Sequence, residues 1–268
     1  MLRPGHDLVS TGAAGSGIDW NGQNITFVVS LVVQLLVLVL SIVALFLTKD
    51  LPEVLTTVLI LETVVQLVEL AWYTIVGLVF AFGCGSTKGM SFGVEYRYLD
   101  WFITTPTMLI TLFFSGYFFD NPCLDNEGLR KTPDFGLLIA LIVVADWIML
   151  FLGLDFEMQG PCNRALGRVA LAIGFVPLIG AFIPSFVVLS RNPTWEFWLL
   201  SMLTLLVWSL YGLVPLYFYP KLRGSDETHE NTNHKMMRNA CFNILDLVSK
   251  NTFGLVLSIV ALSFDREC

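Results

Sequence analysis

Lys250 and Asp246 stand four positions apart in Asp246-Leu247-Val248-Ser249-Lys250, deep inside an apolar stretch near the end of the chain. A lone charge at such depth in a membrane costs at least about 2.5–3.5 kcal/mol, so it is kept where it does chemistry. Residues four apart lie one above the other on a helix face, which brings the Asp246 carboxylate within reach of whatever Lys250 carries. A buried lysine amine condenses with an aldehyde to a Schiff base, and the protonated form is a fixed cation that needs carboxylate partners.

A second polar set lies in Tyr96-Arg97-Tyr98-Leu99-Asp100-Trp101-Phe102-Ile103-Thr104-Thr105-Pro106-Thr107-Met108. Arg97, Asp100, Thr104 and Thr107 share one helical face. Pairing between Arg97 and Asp100 alone does not explain why both sit in an apolar helix beside three threonines. A third set is a stripe: Glu62, Gln66, Glu69 and Tyr73 recur at offsets of four, three and four on an otherwise apolar segment. That stripe is roughly 16 Å long at the rise of an α-helix. Lipid cannot face it, so other helices or water must satisfy its polar groups. Water on a line of carboxylates is how a cation pathway reads in sequence; a buried hydrogen-bond network is the alternative.

The elements that hold these residues follow from composition. Charged residues make up 14% of the 268-residue chain, hydrophobic residues 55%, and the mean hydropathy is +0.72. A soluble domain carries roughly 25% charged residues. Apolar runs long enough to cross a bilayer fall at 25–47, 54–82, 96–117, 135–154, 166–189, 194–219 and 236–264. The connectors leave no room for a soluble domain. The expected fold is therefore an all-α integral membrane protein, a seven-transmembrane-helix bundle over residues 25–264, with a polar leader at 1–24 and a short tail at 265–268. The leader has no apolar core of its own and does not read as a cleavable signal. Cys84, Cys123, Cys162, Cys241 and Cys268 form no CxxC pair and suggest neither a disulfide framework nor a zinc site. A Cys84–Cys162 bridge is compatible with seven spans, since both would fall on one side. The net charge of −7 forms no basic stripe, so nucleic acid is not an expected partner. Gly167, Gly174 and Gly180 suit close helix packing, within the bundle or between protomers.

Arg-x-x-Asp-Trp-x-x-Thr-Thr-Pro at 97–106, together with Leu-Asp-x-x-Ser-Lys at 245–250, resembles the microbial rhodopsins, and the similarity covers all seven spans. The resemblance implies a photoreceptor rather than an enzyme. It implies all-trans retinal on Lys250, Asp100 and Asp246 as paired counterions, and Arg97 as the cation that tunes them. Trp101, Trp208 and Tyr211 match the aromatic walls of the chromophore pocket. Asp146 matches a fourth-helix aspartate that hydrogen-bonds Thr105, and Met108 falls where a residue tunes colour. Pumps of this fold commonly carry a carboxylate eleven residues after the helix-three counterion; here that position is Thr111. Gly212 stands where a proline is usual in the sixth span, with Pro215 one turn later.

Glu62 and Glu69, seven apart in the second span, together with Ser249-Lys250-Asn251, are similar to the channelrhodopsins, including viral members. That resemblance implies a light-gated cation channel, protons included, with a central constriction at Glu69 and Asn251 and an inner one at Glu62. Ser41 is the candidate first-helix serine of the central gate, with Ser30 an alternative register. Retention of Asp100 favours cations over anions. A light-driven outward proton pump and a photosensor acting through a partner are the other two readings. The expected partners are membrane lipid and monovalent cations or protons, in a homo-oligomer for which a dimer is favoured over a trimer or pentamer. Lysines and arginines are more numerous in the amino terminus and even-numbered loops, which by the positive-inside rule predicts a cytoplasmic amino terminus. The resemblance implies the opposite, with the amino terminus outside and the carboxyl terminus in the cytoplasm.

Overall fold

The structure is a computed structural model, and it describes residues 22–47, 51–82, 95–158, 164–191, 194–218 and 229–264. The leader, the tail, Cys84 and Cys162 lie outside these residues. The helices are α1 (Gly22–Leu47), α2 (Glu53–Phe82), α3 (Glu95–Asp120), α4 (Asn126–Arg130), α5 (Phe135–Met158), α6 (Arg164–Arg191), α7 (Trp195–Phe218), α8 (His229–Asp246) and α9 (Thr252–Leu262). Seven of the spans they form are long and apolar enough to cross a membrane, as expected. Two features were not legible: the one-turn α4 between α3 and α5, and a π turn at Leu247–Asn251 that joins α8 to α9.

Length and apolar composition make these segments helical, because a helix satisfies its own backbone in lipid. The side-chain pattern then sets which face turns inward. Val32, Leu36 and Phe46 of α1 are exposed, whereas Ser30, Gln34 and Ser41 of the same helix are buried. α1 thus turns apolar residues to the bilayer and polar ones inward, where they join a largely apolar core. The helices pack in chain order and α1 also meets α8 and α9, which closes the ring. α3 touches α2, α5, α6 and α7, so its residues reach the centre.

Helix proximity concentrates at particular glycines. A Cβ on Gly116 would lie 2.6 Å from Phe197 Cζ and 3.0 Å from Val188 Cγ1, so α3 approaches α6 and α7 closely there. Gly174 and Gly180 lie on the α6 face that packs on α5, where a Cβ would meet the Leu152 and Ala145 Cβ atoms at 3.9 and 3.6 Å, contacts that alanine would also satisfy. α4 is held by Asp125, whose Oδ1 accepts from the Gly128 N–H at 2.7 Å, and by Leu129, which is buried among the core side chains. Asp134, at φ 61°, turns the chain into α5, a left-handed position that aspartate tolerates. Cys123 is disulfide-bonded, a crosslink that the cysteine spacing did not disclose, and Cys241 is free.

Candidate functional site

The carboxyl-terminal span carries the centre of the site. Its π turn contains Ser249, Lys250 and Asn251, all buried. π turns shift the backbone ladder by one residue and recur where a helix serves a site. Here the Lys250 carbonyl accepts from Gln66 Nε2 at 3.1 Å, so α2 reads the turn directly.

Lys250 Nζ donates to Asp100 Oδ2 at 2.6 Å, and Glu69 Oε1 lies 3.5 Å from the same nitrogen. All three side chains are almost wholly buried. Asp246 does not touch the Lys250 amine directly. It makes no ion pair with Lys250; its Oδ2 pairs with Arg97 Nη1 at 2.9 Å and accepts from Tyr73 OH at 2.9 Å, while Oδ1 accepts from Tyr211 OH at 2.8 Å. The physical reason is the π turn, which moves Lys250 off the register of a regular i, i+4 pair, combined with three donors from α2, α3 and α7 that converge on the aspartate. Tyr211 also shares a hydrogen bond with Ser249 Oγ at 2.9 Å. Tyr73 therefore belongs to the Asp246 cluster rather than to a continuous stripe with Glu62.

This cluster continues toward the end of the bundle that carries Gly22. Arg97 Nη2 donates to Asn243 Oδ1, and Asn243 Nδ2 donates to Thr26 Oγ1 at 2.9 Å and the Gln23 carbonyl at 3.3 Å. Ser30 Oγ donates to the Asn243 carbonyl at 3.2 Å. The guanidinium also lies 5.8 Å from the Phe242 ring centroid.

On the other side of Lys250 an apolar pocket extends between α3, α5, α6 and α7. Trp101 and Trp208 line it, as do Thr105, Met108 and Tyr211. Trp101 stands edge-on to Tyr211 at 5.2 Å and Trp208 edge-on to Phe182 at 5.8 Å, which fixes both indoles. Thr105 Oγ1 lies 2.7 Å from Asp146 Oδ2, as expected, and also 2.7 Å from the Trp101 carbonyl, tying α3 to α5 behind the pocket. Gly212 lies under the Phe175 ring: a Cβ there would fall 2.7 Å from Phe175 Cζ. The proline missing from that position is thus replaced by an aromatic ring from α6.

The stripe on α2 splits at Glu69. Below it, toward the Leu47 end of α1, Glu62 Oε1 accepts from Gln66 Nε2 at 2.8 Å. Both oxygens of Glu69, both side-chain atoms of Asn251 and both of Gln34 are buried without a hydrogen-bond partner among the described residues, as are Glu62 Oε2 and Gln66 Oε1. Neither candidate serine joins this group. Ser41 Oγ shares a 3.1 Å hydrogen bond with Ser258 Oγ, and Ser30 is engaged at Asn243. Gln34, between the two serines on the same face of α1, was overlooked. Ser30, Gln34 and Ser41 at offsets of four and seven form a polar line in an apolar helix, which is the signal that could have found it. Asn243 was likewise missed, although Asn239, Asn243, Asp246 and Lys250 recur at helical spacing.

Residues 22–264 match the profile of the family described as bacteriorhodopsin-like protein. The chain belongs to that family, the microbial rhodopsins. Its fold is similar to the solved thermophilic rhodopsin from Rubrobacter xylanophilus, with 24% identity over 90% of this chain and 97% of that one and a TM-score of 0.60. It is also similar to xanthorhodopsin, described as a light-driven ion pump with a dual chromophore, at 16% identity over 90% and 91% of the two chains with a TM-score of 0.67. A light-driven proton pump from Leptosphaeria maculans matches at 17% identity over 92% and 98%, with a TM-score of 0.60. No curated protein sequence matches the chain.

Membership of this family implies a retinal chromophore, and the residues fit one. The pocket is apolar, is lined by Lys250 and is walled by Trp101, Trp208 and Tyr211. The two carboxylates at the amine suit a cation at that nitrogen. Retinal bound there supplies a light-absorbing polyene, whereas the residues of this chain hold its charge and shape.

Proposed function

We propose that this protein is a light-gated cation channel, protons included, with all-trans retinal on Lys250. In this reading the amino terminus lies outside, the carboxyl terminus in the cytoplasm, and the assembly is a homo-oligomer, with a dimer favoured. The observation that carries the reading is the seam between α1, α2 and the π turn. Eight buried polar atoms of Gln34, Glu62, Gln66, Glu69 and Asn251 have no hydrogen-bond partner there among the described residues. Each such atom left dry costs about 1–3 kcal/mol, so the seam calls for water or ions to satisfy it. Two carboxylates on that line give the route a preference for cations. Glu69 and Asn251, level with the chromophore, form the constriction that a change at Lys250 would open; Glu62 forms the one nearer the cytoplasm.

An outward proton pump is the second reading, supported by the 2.6 Å contact from Lys250 Nζ to Asp100 Oδ2 and by pumps among proteins of similar fold. Thr111 weighs against it, because its hydroxyl, bonded to the Thr107 carbonyl at 2.8 Å, cannot supply a proton as a carboxyl would. Whole-cell photocurrent against voltage separates the readings. A current that reverses sign, with a reversal potential that follows the sodium or proton gradient, is expected. Outward current at every voltage would establish the pump, and negligible current with a slow photocycle would establish a sensor.

A further inference from the structure

The buried carboxyl groups divide by what they touch. Asp100 and Glu69 face the Lys250 amine, Asp246 is held by Arg97 and two tyrosines, and Asp146 is held by Thr105. Glu62 stands apart. It is wholly buried, seven residues from Glu69 toward the Leu47 end, and forms no ion pair among the described residues. One oxygen accepts from the Gln66 amide and the other has no partner among the described residues, which leaves a place for a proton. The same Gln66 nitrogen donates to the Lys250 carbonyl, so a single amide couples Glu62 to the backbone of the lysine. Gly254 makes room for the arrangement, since a Cβ there would fall 2.6 Å from Glu62 Oε1 and 2.9 Å from Gln66 Nε2.

We infer that Glu62 is the internal proton store that returns a proton to the Lys250 nitrogen after that nitrogen has given one to Asp100. The balance is simple. The N–H of Lys250 breaks and Asp100 gains the proton across their 2.6 Å contact. Later the O–H of Glu62 breaks, water in the seam relays the proton, and an N–H forms again at Lys250. Glu62 is left as a carboxylate and takes a proton from water at the Leu47 end. No electron is transferred and no other reactant is needed. The relay passes Gln66, whose two hydrogen bonds tie Glu62 to the turn. A carboxyl on α2 would then do what Thr111 on α3 cannot. The inference rests on retinal being bound at Lys250 but holds for channel and pump alike.

The test is flash spectroscopy on the full chain in lipid with retinal supplied. In the unaltered protein, recovery of the long-wavelength band should be nearly independent of external pH between about pH 6 and 9, because an internal donor supplies the proton. Recovery whose rate is proportional to external proton concentration would overturn the inference without any variant. In Glu62→Gln, band loss should keep its rate, recovery should slow at least tenfold and become proportional to proton concentration, and added azide should restore it. Glu62→Asp should recover at an intermediate rate. Infrared difference spectra should show a protonated-carboxyl band that disappears as the long-wavelength band returns and is missing in Glu62→Gln. Recovery within twofold of the unaltered protein in Glu62→Gln, or an infrared band that persists there, would refute the role. A colourless unaltered protein would instead refute retinal binding at Lys250, which is a separate failure.

Discussion

Lys250 reaches across 150 residues of sequence to Asp100 at 2.6 Å, while Asp246, four residues away on its own span, turns to Arg97. The two aspartates therefore have different work, and matched substitutions should separate them. Asp100→Asn removes the carboxylate nearest the Lys250 nitrogen and should shift the absorption maximum to longer wavelength and weaken proton retention at that nitrogen. Asp246→Asn leaves the part-buried Arg97 without its countercharge and should cost about 1–3 kcal/mol of stability with a smaller colour change. Absorption spectra and thermal bleaching of both variants check this; equal colour shifts would show that Asp246 is a counterion of the same rank.

Thr105 links the pocket wall to α5 through Asp146, both buried. Thr105→Val keeps the shape and removes the hydroxyl, leaving a buried carboxyl unpartnered, at a cost of about 1–3 kcal/mol. Pigment should still form, with faster thermal bleaching and an altered photocycle. Asp146→Asn should retain most of the stability, because an amide can still pair with the hydroxyl. A Thr105→Val variant as stable as the parent would mean that water replaces the bond.

Much of this was legible because membrane burial makes polar residues conspicuous. Lys250, Asp100, Arg97 and Glu69 stood out as charges in apolar helices, and the structure brings them within one cluster. What the sequence concealed depended on backbone geometry. Asp246 and Lys250 read as an i, i+4 pair on a regular helix, and the π turn at Leu247–Asn251 breaks that register. Ser41 was the first-helix serine chosen under the resemblance, with Ser30 the other register, whereas its distance to Ser258 depends on how α1 meets α9. Glycines were legible only in part: Gly174 and Gly180 do sit against α5, whereas the tighter approaches at Gly116, Gly153, Gly212 and Gly254 depend on which side chain faces the glycine and not on glycine spacing.

Gly212 gives a packing prediction. A methyl group there would meet Phe175 at 2.7 Å, and the ring lines the same pocket. Gly212→Ala should cost about 1–3 kcal/mol through overpacking and change the absorption maximum, because the displaced ring must enter the chromophore space. Phe175→Leu in the same chain should restore part of the loss, so the pair should be non-additive in a double-mutant cycle. Additive effects would show that the ring moves outward instead.

Gln34 belongs with Glu69 and Asn251 as a buried polar side chain that makes no hydrogen bond among the described residues, and Ser41 does not. If the seam conducts, Glu69→Gln and Asn251→Ala should lose or strongly alter photocurrent while still forming pigment, and Gln34→Leu should behave like them. Replacing Gln34 with leucine puts an apolar face on the water path, whereas Ser41→Ala removes only a hydrogen bond to Ser258, worth about 0.5–1.5 kcal/mol. Photocurrent normalised to pigment content should therefore fall at least fivefold in Gln34→Leu and stay within twofold of the parent in Ser41→Ala. The reverse pattern would move the path toward α9 and Ser258. Unchanged current in all four variants would place conduction elsewhere in the bundle and leave the seam as a structural hydrogen-bond network.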